Sequence, residues 1–77
     1  MYKDLVEYLV KSLVDNTESV VLIQTEDNDK IVITVKVATE DMGRIIGKDG
    51  RIIKSIREIV RAYSAKNHEK VSVDIEE

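Results

Sequence analysis

Over residues 3–14 the apolar side chains Leu5, Val6, Leu9, Val10, Leu13 and Val14 return every three or four positions, and Lys3, Asp4, Glu7 and Lys11 fall between them. A helix with that period collects its apolar residues on one face, so the segment predicts an amphipathic helix closing near Asp15 and Asn16. Residues 20–25 form a β-branched apolar run, and Ile31, Ile33, Val35 and Val37 alternate with Lys30, Val32, Thr34 and Lys36. Both runs suit strands, and the intervening Glu26, Asp27, Asn28 and Asp29 are turn residues, so the two should pair as a hairpin.

Further on, Thr39 is placed to cap a short helix whose first turn carries Glu40 and Asp41 and whose apolar residues are Met42, Ile45 and Ile46, ending at Gly47. A longer helix should follow Gly50 and run to about Lys66. In it Ile52, Ile53, Ile56, Ile59, Val60 and Tyr63 lie on one side, and Arg51, Lys54, Arg57 and Arg61 on the other. Val71, Val73 and Ile75 then alternate with Ser72, Asp74 and Glu76, the pattern of a half-buried strand. The order is α-β-β-α-α-β, an α+β arrangement. Strands with one apolar face each are satisfied by a three-stranded mixed sheet with three helices packed on one face; the crossover through two helices admits a parallel pair. With 77 residues and no proline or low-complexity stretch, the chain reads as a single domain, residues 1–77.

Charge is unevenly spread along this frame. The formal net charge is −3, yet between Met42 and Ala62 the basic Arg44, Lys48, Arg51, Lys54, Arg57 and Arg61 face only Asp49 and Glu58, a local balance of +4 that leaves −7 for the remainder. Local potential rather than total charge steers a ligand, so a basic strip on an acidic body is compatible with a polyanion. By itself such a strip is more readily a solvated helix face, and the glycines beside it change that. All three glycines, Gly43, Gly47 and Gly50, lie inside it. Gly47 and Gly50 bracket a two-residue polar turn between helical segments. A helix beginning at Gly50 would offer the free amides of Arg51, Ile52 and Ile53 to an anion. Lys48, Arg51 and Lys54 would add charge around it, while the carboxylate of Asp49 would oppose it. Two glycines at this spacing also mark ordinary helix–helix turns.

The fuller pattern is more restrictive: Gly43, then Ile45, then Ile46-Gly47-x-x-Gly50-x-x-Ile53-Lys54-x-Ile56, set between two helices after a hairpin. It resembles the KH domain, whose G-x-x-G loop clamps about four nucleotides of a single strand. The element order resembles the prokaryotic, type II form, and the size is similar to that of small bacterial RNA-binding proteins consisting of one such domain. The resemblance implies that Gly47, Lys48, Asp49 and Gly50 contact phosphates. It also implies that Arg44, Arg51 and Lys54 flank them and that Gly43 and Ile46 lie near the base-binding groove. Ile45, Ile53 and Ile56 match the pattern as well, although core packing accounts for them better. It further implies single-stranded RNA as ligand, a homodimer, pairing with a larger KH-containing protein of the KhpB or Jag type, and a part in RNA chaperoning or post-transcriptional regulation in the cytoplasm, with no cofactor and no metal.

Other classes find little support. The aromatics are Tyr2, Tyr8 and Tyr63, none in the motif, which argues against RRM or OB stacking platforms. There is no cysteine, and the one histidine, His68, has no nucleophile near it in sequence and suits a polar helix end; no enzyme is expected. Glu26, Asp27 and Asp29 lack the spacing of a calcium loop. No apolar run is long enough for a signal peptide or a membrane span, so a soluble protein is expected. A protein-interaction or dimerisation module that keeps the fold with little RNA binding of its own stays open, since a sheet covered on one face leaves another face or an edge for a partner.

Overall fold

A computed structural model describes residues 2–76. Helix α1 spans Tyr2–Lys11, strands β1 and β2 span Val21–Asp27 and Lys30–Lys36, helices α2 and α3 span Met42–Ile46 and Arg51–Lys66, and strand β3 spans Lys70–Ile75. Single 3₁₀ turns occupy Thr17–Ser19, Thr39–Asp41 and Lys48–Gly50. This is the expected α-β-β-α-α-β order.

The sheet has the order β1-β2-β3, with β1 antiparallel and β3 parallel to the central β2. Leu22, Val35 and Ile75 align in one row across it, and Gln24, Ile33 and Val73 in the next. Helices cover that face: Ile33 and Val35 are buried with Val6 and Val10 of α1, Ile45 of α2, and Ile53 and Val60 of α3. The opposite face carries Ile23 beside Thr34 and Val21 beside Lys36, and there Val21 and Ile23 remain 48% and 49% exposed.

Local chemistry explains where elements stop. Helix α1 ends at Lys11, short of the expected residue 14. Ser12 donates both its amide, at 3.1 Å, and its Oγ, at 2.7 Å, to the Tyr8 carbonyl, and the Leu13 amide shifts to the Val10 carbonyl. The hairpin is also tighter than its four polar residues suggest. Glu26 and Asp27 pair with Ile31 and Lys30, leaving Asn28 (φ 50°) and Asp29 (φ 65°) as a two-residue turn with both φ values positive, as a type I′ turn requires. The far end of α3 closes on His68 at φ 57°, with the Glu69 amide donating to the Ser64 carbonyl at 2.9 Å.

Two expectations are corrected. Thr39 does not cap: Ala38 occupies the N-cap position of the turn, and no side-chain capping bond forms there or at α2. The buried stripe of α3 is narrower than six residues and consists of Ile53, Ile56, Val60 and Ser64. Ile59 and Tyr63 stay 47% and 38% exposed, because a helix resting on a small sheet buries only the residues facing it.

Candidate nucleic-acid interface

Gly47 ends α2 and turns the chain. Its φ of 74° and ψ of 179° lie outside the helical region, and a Cβ there would overlap Ile52 Cγ1 and lie 2.9 Å from Ile52 Cβ, so only glycine fits. Asp49 follows with φ 57° and Gly50 with φ 74°, two left-handed residues in succession before α3 begins. Asp tolerates that region better than most side chains, which is a local reason for its presence between the glycines.

The turn sets which amides are open. Gly47 donates to the Gly43 carbonyl at 2.9 Å, Gly50 donates to the Gly47 carbonyl at 3.3 Å, and Arg51 donates to the Lys48 carbonyl. The Arg51 amide, expected to be free at the start of the helix, is therefore used by the 3₁₀ turn that precedes it. Among the described residues the amides of Lys48 and Asp49 have no acceptor, so the open donors sit earlier, within the turn itself.

Around these donors the side chains of Lys48, Asp49, Arg51 and Lys54 are exposed, and among the described residues none of the three cations is paired with a carboxylate. Gly43 is exposed on α2, with open space where its Cβ would be. Ile46 is half-buried and lines a cavity of about 340 Å³ with Lys36, Val37, Thr39, Met42 and Glu76. The turn thus has an open polar side at Lys48 and Asp49 and, on the Ile46 side of α2, a recess where Val37, Met42 and Ile46 sit among Lys36, Thr39 and Glu76.

Arg44 is the expected site residue that the turn does not gather. Its Nη1 lies 2.6 Å from Asp15 Oδ2 and 3.6 Å from Asp41 Oδ1, so two carboxylates hold it toward the link between α1 and β1. Asp41, read from sequence as a first-turn acid, is 1% exposed, and its carboxylate accepts the backbone amides of Asp15 at 3.2 Å and Asn16 at 3.0 Å. It ties the start of the α2 segment to the α1–β1 link and thereby fixes where α2 presents Gly47. Sequence reasoning missed this, because its partners lie 26 and 25 residues away. Only Arg44 three positions on hints at it. Arg57, read as one of the basic strip, also has a specific contact: its Nε donates to the Val73 carbonyl at 2.9 Å.

Among the described residues there is no cluster of three or more metal-ligating side chains and no helix long and apolar enough to cross a membrane. The chain is similar to RNA-binding protein KhpA of Clostridium perfringens, 47% identical over 95% of this chain and 97% of that one, and to that of Listeria monocytogenes, 43% identical over 95% and 96%. Among solved structures it superposes on Era from Aquifex aeolicus bound to GDP and aluminium fluoride with a TM-score of 0.64 at 17% identity, covering 96% of this chain and 29% of Era. Era in complex with a 16S ribosomal RNA fragment gives 0.65 at 17% identity, over 28% of its length. At that identity the Era likeness is one of fold. The family model described as the KhpA/KhpB KH domain matches residues 3–75, and with relatives of this identity over nearly their whole length the chain belongs to that family, with the α+β type II KH fold.

Proposed function

We propose that this protein binds single-stranded RNA, holding the strand's backbone at Gly47-Lys48-Asp49-Gly50, with Arg51 and Lys54 adding charge, Gly43 and Ile46 bordering the bases, and Arg44 contributing at the margin. The observation that carries this reading is the pair of open amides at Lys48 and Asp49, on a turn whose surrounding cations have no carboxylate partner. Relatives bearing the name RNA-binding protein KhpA support it. In this reading the protein is a binder and not an enzyme. It acts in the cytoplasm as an RNA chaperone or post-transcriptional regulator with a KhpB/Jag-type partner.

Titration of labelled single-stranded RNA at several salt concentrations tests the reading. Affinity should fall as salt rises, with a slope of about −0.7 per phosphate engaged, and Lys48→Asp should remove most of it. Affinity unchanged by that substitution would take the turn out of the mechanism.

A second reading, an interaction or homodimerisation module, is favoured by exposed apolar side chains. Leu5 of α1 and Ile59, Ala62, Tyr63 and Lys66 of α3 line an open groove of about 520 Å³, and Tyr8 is 71% exposed. Sedimentation would separate the two: for a pure interaction module, association should persist in Lys48→Asp and be lost in Ile59→Asp, with no RNA bound by either.

A further inference from the structure

β1 is the outer strand on the side of the sheet away from β3, and it pairs with β2 without a bulge along all 7 of its residues. In such a ladder alternate amides and carbonyls of the outer strand point away from its partner, and among the described residues no bond outside the ladder reaches them. The opposite edge differs, because α3 packs against β3 and Arg57 Nε donates to the Val73 carbonyl. The devices that guard natural edges, a lysine, a proline or a bulge, are absent from β1. Only Leu22 of the strand is buried, and Val21 and Ile23 stand half-exposed on the sheet face opposite the helices. Charge then narrows what can sit there. Between Lys11 and Lys30 the chain has no basic residue and five acidic ones, Asp15, Glu18, Glu26, Asp27 and Asp29. Arg44 holds Asp15, and among the described residues the other four have no ion-pair partner.

We propose that β1 is a docking edge for an extended basic segment of another protein, which adds to the sheet as a fourth, antiparallel strand. Two cations at the start of that segment meet Asp27 and Glu26, and β-branched residues at every second position after them lie beside Ile23 and Val21. An added strand runs about 4.8 Å from β1, so its main chain takes up the open amides and carbonyls while its side chains pair across the ladder. The main-chain bonds supply attachment, and the acids choose among candidate segments. A second copy of β1 is a poorer occupant. Paired antiparallel about Gln24 it sets Val21 against Asp27 and Leu22 against Glu26, and the added strand brings no cation. A nucleic acid is repelled by the same acids. The site uses no residue of the glycine turn and stands whether or not the RNA-binding reading does.

The test is a titration of the isotope-labelled chain, at low salt, with the capped peptide Lys-Arg-Thr-Gln-Val-Thr-Val and with a second peptide in which Glu-Glu replaces Lys-Arg. Amide NMR shifts report where and how tightly each binds. The basic peptide should move signals centred on residues 21–27, slow hydrogen exchange of the outward β1 amides, and bind at least about fivefold more tightly than the acidic one. Replacing both Glu26 and Asp27 with lysine should reverse that preference, and since both are exposed the fold should hold. Should that variant unfold, the two peptides on wild type decide alone. No shift with either peptide, equal binding of the two, or shifts centred on the α2–α3 turn would overturn the assignment. It would fall equally if the β1 amides of the free protein were already protected in a dimer that Ile23→Lys dissociates, because the edge would then belong to a second copy.

Discussion

Gly47 and Ile52 are packed so closely that the first glycine of the turn is dictated by the first turn of α3: a Cβ added at Gly47 would lie 2.9 Å from the Ile52 Cβ. At Gly50 the nearest atom to an added Cβ is Ile53 Cγ2 at 4.0 Å, so only the left-handed backbone is at stake there. Gly47→Ala should therefore cost about 1–3 kcal/mol, from strained backbone plus collision, and Gly50→Asn only a few tenths to about 1 kcal/mol. Urea denaturation of the two variants checks the ranking. Equal losses would show that space at Gly47 is not limiting.

That asymmetry decides how RNA binding should be probed. Any side chain at Gly47 deforms the turn, so lost binding there would not distinguish contact from misfolding. Asp49 is the better position, because its φ of 57° is one that Asn accepts. Asp49→Asn should leave the denaturation midpoint nearly unchanged and raise RNA affinity about two- to fivefold at low salt by removing a repelling charge beside the strand. Lys48→Ala should weaken binding and reduce the salt slope by about 0.7. Affinity unaltered in both variants would place the strand elsewhere.

Much of this architecture is legible in the chain because its strands and helices have single apolar faces with distinct periods. Ile33 and Val35 fall on the buried side at period two, and Val6 and Val10 at helical spacing, so element order and sheet composition follow. The glycine turn is legible because Gly47, Gly50 and the cations around them are consecutive. What sequence does not disclose depends on partners distant along the chain. Asp41 looks like an ordinary first-turn acid until Asp15 and Asn16 are brought beside it, and Arg44 looks available until Asp15 claims it. Which apolar residues of α3 stay exposed is set by the width of the sheet beneath, a quantity no local pattern carries.

The buried Asp41 carboxylate should matter more to stability than any exposed charge. Asp41→Ala leaves the Asp15 and Asn16 amides without an acceptor and should cost about 2–4 kcal/mol, measured by thermal or urea denaturation. Arg44→Ala breaks the ion pair with Asp15, whose side chains are 49% and 81% exposed, and a longer 3.6 Å contact with Asp41, whose carboxylate keeps its two backbone amides; it should cost under about 1 kcal/mol. Because Arg44 is held by Asp15 and Asp41, its removal should also weaken RNA binding less than Lys48→Ala does. A loss in Arg44→Ala as large as in Lys48→Ala would mean that Arg44 leaves its carboxylates when RNA binds.

Tyr2 joins the start of the chain to the α3–β3 link: its hydroxyl donates to Glu69 Oε1 at 2.6 Å and accepts from Asn67 Nδ2 at 3.2 Å, while its ring packs edge-on against Tyr63 with centroids 5.6 Å apart. The bond to Glu69, followed by burial of the hydroxyl, holds the Tyr2 pKa above the ordinary tyrosine value of 10.0. A pKa raised by folding means that the neutral phenol is favoured in the folded state. Its contribution to stability is therefore fully present below pH 10 and is lost as pH rises through the elevated folded value. Tyr2→Phe keeps the ring contact and removes the hydroxyl, so its denaturation midpoint should lie below wild type at neutral pH. The gap should shrink as the solution is made alkaline beyond pH 10. A gap that stays constant from neutral to strongly alkaline pH would show that the phenol proton shared with Glu69 does not stabilise the fold.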